Sequence, residues 1–295
     1  MKHFSIVKKA KVFFSISLIF LLVGVVSMLT RGFILGIDFT GCSIIDVKFE
    51  NPVTVSEVRD VLSDHKLGSS IIQLGSMDGQ QTEESQSVLI RTGIISDDQR
   101  VETMTDMTNR LGPNEVLRVE NVGATVGRDL VKSAMGAVAL SWVLMIIYIT
   151  IRFEHNFAFA AIIALIIDVM VTLSWFSLLQ LEMDSSFVAA LLTVVGYSIN
   201  GTIVIFDRIR ENLHTHRRSE SLGDMVDNSI WQTMNRSIYT SATTLFAVIA
   251  IFLFGGETIR NFSFAMLVGF SSGFYTSTFL AGPLWIKLRS RGTHK

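Results

Sequence analysis

Four polar side chains lie within or next to long apolar runs of this 295-residue sequence, and their types suit proton binding or charge pairing. Asp168 lies in the middle of ALIIDVMVTL (164–173). Asn200 and Asp207 lie in GYSINGTIVIFDRIREN (196–212), and Arg236 precedes a later run. An ionisable group in hydrocarbon costs at least about 2.5–3.5 kcal/mol on membrane-insertion scales, so each one requires a structural or functional reason.

The positions of these residues in the sequence are compatible with a structural role and with a functional one. Asp207 and Arg236 lie near the ends of their runs, where a charge can mark the membrane interface or reach out to it. Asp168 lies mid-run, so it either makes a buried structural hydrogen bond or belongs to a working site. Helical spacing predicts one polar face on the fourth run, another on the fifth, and a polar residue one turn after Asp168 on the third. They are Gly196, Asn200 and Asp207; Arg236, Thr240, Thr243 and Thr244; and Thr172, one turn after Asp168.

Membrane-spanning helices must position these residues. About 20 apolar residues cross a bilayer as a helix, and the sequence has 49% hydrophobic residues, 17% charged residues and a mean hydropathy of +0.47. Six runs are long enough. They are 12–30, 131–151, 157–179, 187–206, 238–255 and 262–286. The first is longer than a usual signal-peptide core and no A-x-A-like site follows it, so we expect it to be retained.

Lysine and arginine counts predict the orientation. Basic residues cluster before the first run, between the fourth and fifth runs, and after the sixth, whereas the short connection 180–186 has none and 256–261 has only Arg260. Both termini and a loop at 207–236 are therefore predicted to be cytoplasmic. The predicted division is 1–30 (N-terminus and first span), 31–128 (extracytoplasmic domain) and 129–295 (five-span bundle).

The segment between the first two spans has the pattern of a water-soluble domain. Strand-like alternation and helical spacing follow one another in the order βαββαβ, which predicts an α+β ferredoxin-like fold. The strands are 42–50, 69–76, 85–93 and 114–123, the helices are 53–68 and 96–112, and a polar turn lies at 77–84. The whole chain is thus predicted to be an α-helical membrane protein with six transmembrane helices and this extracytoplasmic domain.

Several residue patterns exclude function classes. The single cysteine, Cys42, allows no intrachain disulfide and no cysteine-based zinc site. No G-x-x-x-x-G-K-[ST] loop is present, so we expect no ATP site. We also expect no cofactor and no metal. His65 is expected to be a solvated surface residue. The net charge of -1 gives no indication of a nucleic-acid partner.

Two further patterns indicate packing. Gly269, Gly273, Ser277 and Ala281 recur every fourth residue, which is typical of a close helix–helix contact. The segment 221–234 is amphipathic, and we expect it to lie along the inner membrane surface before the fifth span.

Four motifs resemble the SecF group of the SecD/SecF family, protein-export membrane proteins within the wider RND transporter superfamily. They are GIDFTG (36–41), VVGYSINGTIVIFDRIREN (194–212), TMNRSIYTSATTL (233–245) and LFGGETIRNFSFAMLVG (253–269). The resemblance covers essentially the whole chain. In one position it departs from the family, which usually reads GIDFTGG, because Cys42 follows Gly41 here. We expect this position to accept a small side chain and to begin a strand.

The resemblance implies a role and its residues. It implies a non-enzymatic subunit of the bacterial cytoplasmic membrane that uses the proton motive force, together with SecD, to promote export of unfolded preproteins. The implied partners are SecD, the SecYEG translocon, the preprotein and membrane lipid, with YajC as a further candidate. The implied proton-transport residues are Asp207, Arg236, Asp168 and Asn200, and the implied structural-motif residues are Gly36, Asp38, Gly41, Gly196, Gly269 and Gly273.

The resulting hypothesis is that Asp207 alternates between a protonated state and an ionised state paired to Arg236. Two rival classes stay open, an RND-type exporter of small molecules or lipids and a scaffold without transport, whereas an intramembrane protease is disfavoured. An exporter of the RND type is expected to have about twelve spans on one chain. A scaffold would leave the intramembrane acids without a role, and a protease would need paired membrane aspartates in a catalytic context.

Overall fold

The computed structural model describes residues 4–75, 84–122, 124–215, 220–256 and 259–292. The elements are, in chain order, α1 (Ala10–Arg31), β1 (Ile34–Leu35), α2 (Ile37–Thr40), β2 (Cys42–Thr54), α3 (Val55–Asp64), β3 (Ile71–Leu74), β4 (Glu84–Thr92), α4 (Asp97–Leu111), β5 (Asn114–Val122), α5 (Ala124–Arg152), α6 (His155–Leu179), β6 (Glu182–Met183), α7 (Ser185–His214), α8 (Leu222–Phe254), α9 (Arg260–Tyr275), a π-helical turn (Thr276–Ala281) and α10 (Gly282–Gly292). The chain divides into two compact units. Residues 35–135 form the sheet unit, and residues 1–34 with 136–295 form the membrane unit.

The sheet unit is built on four antiparallel strands in the order β3-β4-β2-β5. In the register, Ile45 of β2 faces Ile90 of β4 on one side and Val119 of β5 on the other. The element order βαββαβ with this strand order is that of the ferredoxin-like fold. The predicted fold class is therefore confirmed.

Strand periodicity explains how the sheet unit forms its core. Successive side chains of a strand point to opposite faces, and every second residue of β2 is buried: Ile45, Val47 and Phe49. The α3 and α4 helices cover this face with Leu62 and Met107, among others. The helix starts are capped by side chains, since Thr54 and Glu57 form a reciprocal capping box at α3.

His65 is a correction to the sequence analysis. Its side chain is only 15% exposed, and its Nε2 atom lies 3.2 Å from Oδ2 of Asp106 on α4. His65 caps the C-terminal end of α3, and α4 packs against α3 at this point, so the imidazole is covered rather than solvated. The polar turn predicted at 77–84 lies outside the described residues except for Glu84, where β4 begins.

The GIDFTG motif forms the short helix α2 and the entry into β2. Gly36 precedes α2 in an extended conformation and Asp38 lies in its first turn. Gly41 ends α2 with a φ of +92°, a region in which a side chain is strained. Cys42 does not share this positive φ and is the first residue of β2. The residue that differs from the family pattern, Cys42, therefore has an extended backbone that does not require glycine.

Among the described residues, six helical segments are long and apolar enough to span a membrane, as predicted. They are Ala10–Arg31, Val131–Arg152, His155–Leu179, Ser185–His214, Leu222–Phe254 and Arg260–Ser290. The fourth and fifth extend beyond the predicted apolar runs, because α7 continues to His214 and α8 already begins at Leu222. Most of the predicted loop at 207–236 is therefore helical.

The predicted surface helix at 221–234 is also corrected. These residues form the first turns of the continuous helix α8. Their apolar side chains Met225, Val226 and Ile230 are buried in one cluster with Phe157 and Trp285 of the same unit. Because this apolar side packs against protein, it is not available to lie on a membrane surface.

The small-residue pattern of the last span lies against α7. A Cβ atom placed on Gly269 would come within 2.2 Å of the Val194 side chain, so a larger residue cannot occupy this position unless Val194 moves. One turn later, a Cβ on Gly273 would lie 3.1 Å from Cβ of Ser198. Glycine thus allows α9 to approach α7 closely at these two turns. In contrast, nothing lies within 4 Å of a Cβ placed on Gly196.

Candidate functional site

Asp168 is the most deeply buried acidic group of the membrane unit. It lies in the middle of α6 and its residue is 0% exposed. One turn later, the Thr172 hydroxyl donates a hydrogen bond of 2.9 Å to the Asp168 backbone carbonyl, so Thr172 contacts the main chain and leaves the carboxylate to other groups.

Three hydroxyl groups from other elements donate to the Asp168 carboxylate. Ser198 of α7 donates to Oδ2. Ser272 of α9 donates to Oδ1 over 2.6 Å. Thr276, the first residue of the π-helical turn, lies 2.9 Å from both oxygens. The carboxylate therefore joins α6, α7 and the last span through one hydrogen-bonded centre, which we call the Asp168 centre (Asp168, Ser198, Ser272, Thr276).

Local backbone geometry brings these hydroxyls together. Ser272 and Thr276 are four residues apart, so they share a face of the last span. The helix changes to π geometry at Thr276, and π-helical turns occur often at functional sites. The glycine at 273 lies between the two hydroxyl residues and lets the backbone approach Ser198.

The Asp168 centre has no positively charged partner. No described Lys, Arg or His forms an ion pair with Asp168, and its hydrogen-bond donors are neutral hydroxyls. A buried carboxylate ion is costly unless its charge is compensated. This environment therefore suits a carboxylic acid that is neutral, or a carboxylate that holds a bound cation.

A small polar cavity lies beside the centre. Its volume is about 80 Å³, which is room for a few water molecules. Asn200 of α7, Arg236 of α8 and Ser277 of the π-helical turn line it. Gly273 lines it too, and the neighbouring residue Ser272 donates to Asp168. The cavity thus reaches the same turn of the last span that holds the carboxylate.

A larger apolar groove lies on another side of the centre. Its volume is about 540 Å³, and it runs between α1, α6 and α9. Phe20, Trp175 and Phe264 contribute to its walls, and Ser272 and Thr276 line it as well. Two hydroxyl residues of the Asp168 centre, Ser272 and Thr276, therefore border the apolar groove.

Asp207 has a different environment. Its side chain is 41% exposed, and its Oδ1 lies 3.2 Å from Arg210 and 3.6 Å from Arg152. These are charge contacts without hydrogen-bond geometry, since Oδ1 receives no hydrogen bond. Two turns of α7 follow Asp207 before the helix ends.

The expected pairing of Asp207 with Arg236 is wrong for this structure. Arg210 lies one turn further along the same helix and Arg152 ends α5, and these two guanidinium groups occupy the carboxylate. Within the described part of the chain Arg236 makes no ion pair; it is exposed at the polar cavity. The structure thus brings together Asn200 and Arg236 but places Asp207 and Asp168 elsewhere.

Several polar groups of α7 and α8 face outward from the membrane unit. Gly196 and Asn200 of α7 and Arg236, Thr240 and Thr243 of α8 are exposed. We call this surface the α7/α8 polar face. Exposed polar groups at membrane depth are unfavourable against lipid, so such a surface indicates a protein or water-filled neighbour.

Sequence reasoning found Asp168 and missed its three hydroxyl partners. Serine and threonine are common in membrane helices, so a single hydroxyl carries little information. The four-residue spacing of Ser272 and Thr276 could have indicated a shared polar face. It was overlooked because the same segment carries the small-residue pattern, which was interpreted as helix packing only. Ser198 lies inside the motif GYSING without any distinguishing feature.

The six spans with a ferredoxin-like unit after the first define a multi-pass membrane protein with an inserted α+β unit. Residues 102–291 match the family described as Protein export membrane protein SecD/SecF, C-terminal, and residues 26–53 match the SecD/SecF GG motif. The chain therefore belongs to the SecD/SecF family of protein export membrane proteins.

Full-length relatives are named Protein translocase subunit SecF. One from Acidaminococcus fermentans is 77% identical over 291 residues, covering 99% of each chain. One from Haemophilus influenzae is 38% identical, covering 93% of this chain and 82% of the relative. These matches run over a six-span chain, which disfavours the twelve-span exporter of the RND type.

Two crystal structures of SecDF are similar to this chain. A super-membrane-facing form matches with a TM-score of 0.81 at 31% identity, covering 100% of this chain and 40% of the SecDF chain. The translocon-associated SecDF of Thermus thermophilus matches with a TM-score of 0.77 at 31% identity, covering 98% and 39%. This chain thus spans about two fifths of the SecDF chains.

Proposed function

We propose that this chain is a SecF-type subunit of the Sec protein-translocation machinery. In this role it assembles with a SecD-type partner and uses the proton motive force to promote export of unfolded preproteins across the bacterial cytoplasmic membrane. It is a transport subunit and not an enzyme. The full-length relatives named as translocase subunits support this role.

The α7/α8 polar face supports a membrane partner. This chain matches 40% of the SecDF chain, so more than half of that protein lies outside the match. A SecD-type half placed on the polar face would shield Asn200 and Thr240 from lipid. An acidic group on that partner would compensate the charge of the exposed Arg236. SecYEG, YajC and the preprotein are further partners that the family resemblance implies.

The observation that carries the proposed mechanism is the Asp168 centre. An ionised Asp168 accepts hydrogen bonds from all three hydroxyls. A protonated Asp168 is itself a donor, so at least one hydroxyl must rotate to accept. Protonation therefore rearranges contacts between α6, α7 and the last span. One proton crossing 100 mV supplies about 2.3 kcal/mol, which is enough to bias such a rearrangement.

The polar cavity offers a route for protons to this centre. A few waters can reach Gly273 and Ser277 there, one residue away from the Asp168 donors. Arg236 would favour negative charge nearby and repel other cations. Asp207 and its ion pairs lie at the far end of α7 and stay a second candidate for proton transport.

The orientation is part of the proposal. With both termini cytoplasmic, residues 31–128 face outward, where an emerging preprotein can contact the sheet unit. A lone cysteine at position 215, in a Cys42→Ser background, should resist a membrane-impermeant thiol reagent in intact cells. A lone cysteine on the exposed face of α4, at position 101, should react with the same reagent. Reversed labelling would contradict this orientation.

The function is tested by complementation in cells that lack the native copy. The chain, expressed with its SecD-type partner, should restore export of a reporter preprotein, and an uncoupler should abolish the restored part. Co-purification in mild detergent should recover the SecD-type partner. Export that is restored equally well without that partner, or that is insensitive to collapse of ion gradients, would contradict the proposal.

A further inference from the structure

We infer that the apolar groove between α1, α6 and α9 is a binding site for one acyl chain of an anionic phospholipid. The headgroup of this lipid lies at the end of the bundle where α1 ends and α9 begins. The ligand is a lipid of the membrane, and neither a coupling ion nor a transported protein. The inference goes beyond the proposed function, and the binding can be measured on this chain without export.

The first span forms one wall of the groove because it is held against α6. A Cβ atom placed on Gly24 would overlap the Ser174 side chain, so the two helices are in close contact at this turn. Three residues later, the hydroxyls of Ser27 and Ser177 are hydrogen-bonded over 2.9 Å. Small residues are typical of such close contacts between membrane helices. The position of α1 beside α6 is therefore fixed by its own sequence.

The last span forms the opposite wall, on the side of α9 that faces away from α7. Gly269 and Gly273 are the points at which α9 approaches α7. Residues spaced by three and four along a helix share one side. The residues of α9 that follow this spacing in the groove are Phe264, Val268, Ser271 and Tyr275. The groove thus lies across α9 from α7, so a partner on the α7/α8 polar face does not cover it.

The groove has the length of one membrane leaflet. On α6 it extends from Ile167 to Leu179, and on the last span from Phe264 to Thr276. Each stretch covers about 18 Å at a rise of about 1.5 Å per residue. One leaflet takes about half of the roughly 30 Å of hydrocarbon in a bilayer. A single acyl chain of one leaflet therefore matches the groove in length.

The volume of the groove selects an acyl chain over a protein helix. A helix with side chains is about 10 Å across, so a stretch of about 18 Å fills roughly 1,400 Å³. The groove holds about 540 Å³, which is less than half of this. Pockets for one small ligand measure about 300–1,000 Å³. Acyl chains are the apolar ligands that surround a membrane bundle, and one of them fits.

Aromatic rings close one end of the groove. The rings of Phe13 and Phe279 are stacked 4.7 Å apart, and the Tyr275 ring contacts both. The Tyr275 hydroxyl also donates a hydrogen bond of 2.9 Å to the Phe13 carbonyl, which ties α1 to the last span. Ile16 and Leu179 of the groove wall are half-exposed. A chain therefore enters from the side or from the other end.

Two arginines lie at that other end. Arg31 is the last residue of α1 and donates over 3.3 Å to the Leu178 carbonyl, next to the groove wall. Arg260 begins α9 one turn before Phe264, and its Cζ atom lies 5.6 Å from the centre of the Phe252 ring. Both residues are exposed, and neither is in an ion pair within the described part of the chain. Guanidinium groups match phosphate in geometry and charge, so these two favour an anionic headgroup.

The test uses quenching of Trp175 fluorescence, because Trp175 lies in the groove wall. Purified full-length protein is placed in phosphatidylcholine vesicles with a minor fraction of brominated phosphatidylglycerol or, in parallel, of brominated phosphatidylcholine. The Trp175 signal is the part of the emission that Trp175→Phe removes. One arginine near a membrane surface favours an anionic lipid by about fivefold, so we expect phosphatidylglycerol to bind at least about fivefold more tightly than phosphatidylcholine.

Arginine variants assign the headgroup. Arg31→Gln and Arg260→Gln should each lower the preference for phosphatidylglycerol by about fivefold. Both positions are exposed, and glutamine at 31 keeps a donor for the Leu178 carbonyl. Lys11→Gln is the matched control, because Lys11 is an exposed cation near the other end of α1. It lies about 30 Å from Arg31 along the helix, beyond the Debye length of about 10 Å, so the preference should stay unchanged.

A groove-filling variant assigns the acyl chain. Ser271 is exposed in the groove wall, and Ser271→Phe should reduce the quenching of Trp175 by both brominated lipids. Thr243→Phe adds the same ring to the exposed side of α8 and should leave the quenching unchanged.

Three results would overturn the inference. Equal quenching of Trp175 by the two brominated lipids would mean that the groove takes acyl chains without selecting a headgroup. No quenching by either lipid would mean that protein covers the groove. An unchanged preference in both arginine variants would place the anionic lipid elsewhere. None of these results bears on uncoupler-sensitive export, so failure of this inference is distinguishable from failure of the proposed function.

Discussion

The two membrane aspartates, Asp168 and Asp207, differ in burial and in the chemistry of their partners. Asp168 is enclosed and accepts only from neutral hydroxyls. Asp207 is 41% exposed and lies beside two guanidinium groups. An exposed, doubly paired carboxylate can stay ionised at little cost, whereas an enclosed carboxylate with only hydroxyl partners is costly to ionise. Position in an apolar run therefore does not distinguish the two aspartates; the chemistry of their partners does.

Among the variants considered, removal of Asp168 and removal of Asp207 should differ most in their effect on the free energy of unfolding. We expect Asp168→Ala to lower the free energy of unfolding by about 2–4 kcal/mol, because it opens a cavity and leaves three buried hydroxyls without their acceptor. Asp207→Ala should cost about 0–1 kcal/mol, since exposed ion pairs are screened. Thermal unfolding of the purified protein in detergent measures both. Equal losses would remove the distinction between the sites.

The hydroxyl donors give the next largest effect. Thr276→Val deletes one donor to Asp168 and should cost about 1–2 kcal/mol. Thr243→Val is the control, because the Thr243 hydroxyl is exposed and bonds only to its own helix; its effect should stay within about 0.5 kcal/mol. A cost in Thr276→Val as small as in the control would mean that the centre does not hold the last span against α6.

The basic partners of Asp207 should matter less. Arg210→Gln leaves Arg152 beside the carboxylate, so we expect a loss below about 1 kcal/mol that shrinks further when salt is added. Unfolding in 0.05 M and 0.5 M salt measures the difference. A salt-independent loss above about 2 kcal/mol would show that Asp207 is a buried site after all.

The smallest effect is expected from a carboxylate outside the membrane unit. Hydrogen bonds from the Thr54 backbone and side chain lower the pKa of Glu57 from its usual value. A lowered pKa stabilises the fold above the unfolded-state pKa, and this contribution is lost as the pH falls through the folded-state pKa. In the soluble fragment 31–128, Glu57→Gln should therefore reduce the loss in the free energy of unfolding that occurs as the pH falls into the acid range. An unchanged loss would exclude a contribution from the capping box.

Sequence patterns predicted the elements well, because those patterns are local. Hydropathy over about 20 residues indicated six spans, and alternation in β2 indicated the buried side chains of the sheet. The same local reasoning failed for the amphipathic segment 221–234, because its apolar side could pack either against a membrane surface or against other helices. Met225 and Ile230 were assigned to a membrane surface, but the structure packs them against Trp285.

The site was only partly predictable, because its contacts join distant parts of the sequence. Asp168 was evident as an acid in an apolar run. Its partners Ser272 and Thr276 lie more than 100 residues later, and only helix packing and the π-helical turn bring them to it. The Asp207–Arg236 pair was wrong for a related reason, since Arg210, three residues away, was the nearer cation.

Export of a reporter preprotein tests the central claim most directly. Asp168→Asn and Asp207→Asn are compared in cells that lack the native copy, with and without an uncoupler. Membrane levels and partner co-purification of both variants are measured as controls. We predict that Asp168→Asn loses the uncoupler-sensitive part of export while Asp207→Asn keeps at least about half of it. Loss in Asp207→Asn with normal, uncoupler-sensitive export in Asp168→Asn would contradict the account and assign the coupling acid to the end of α7.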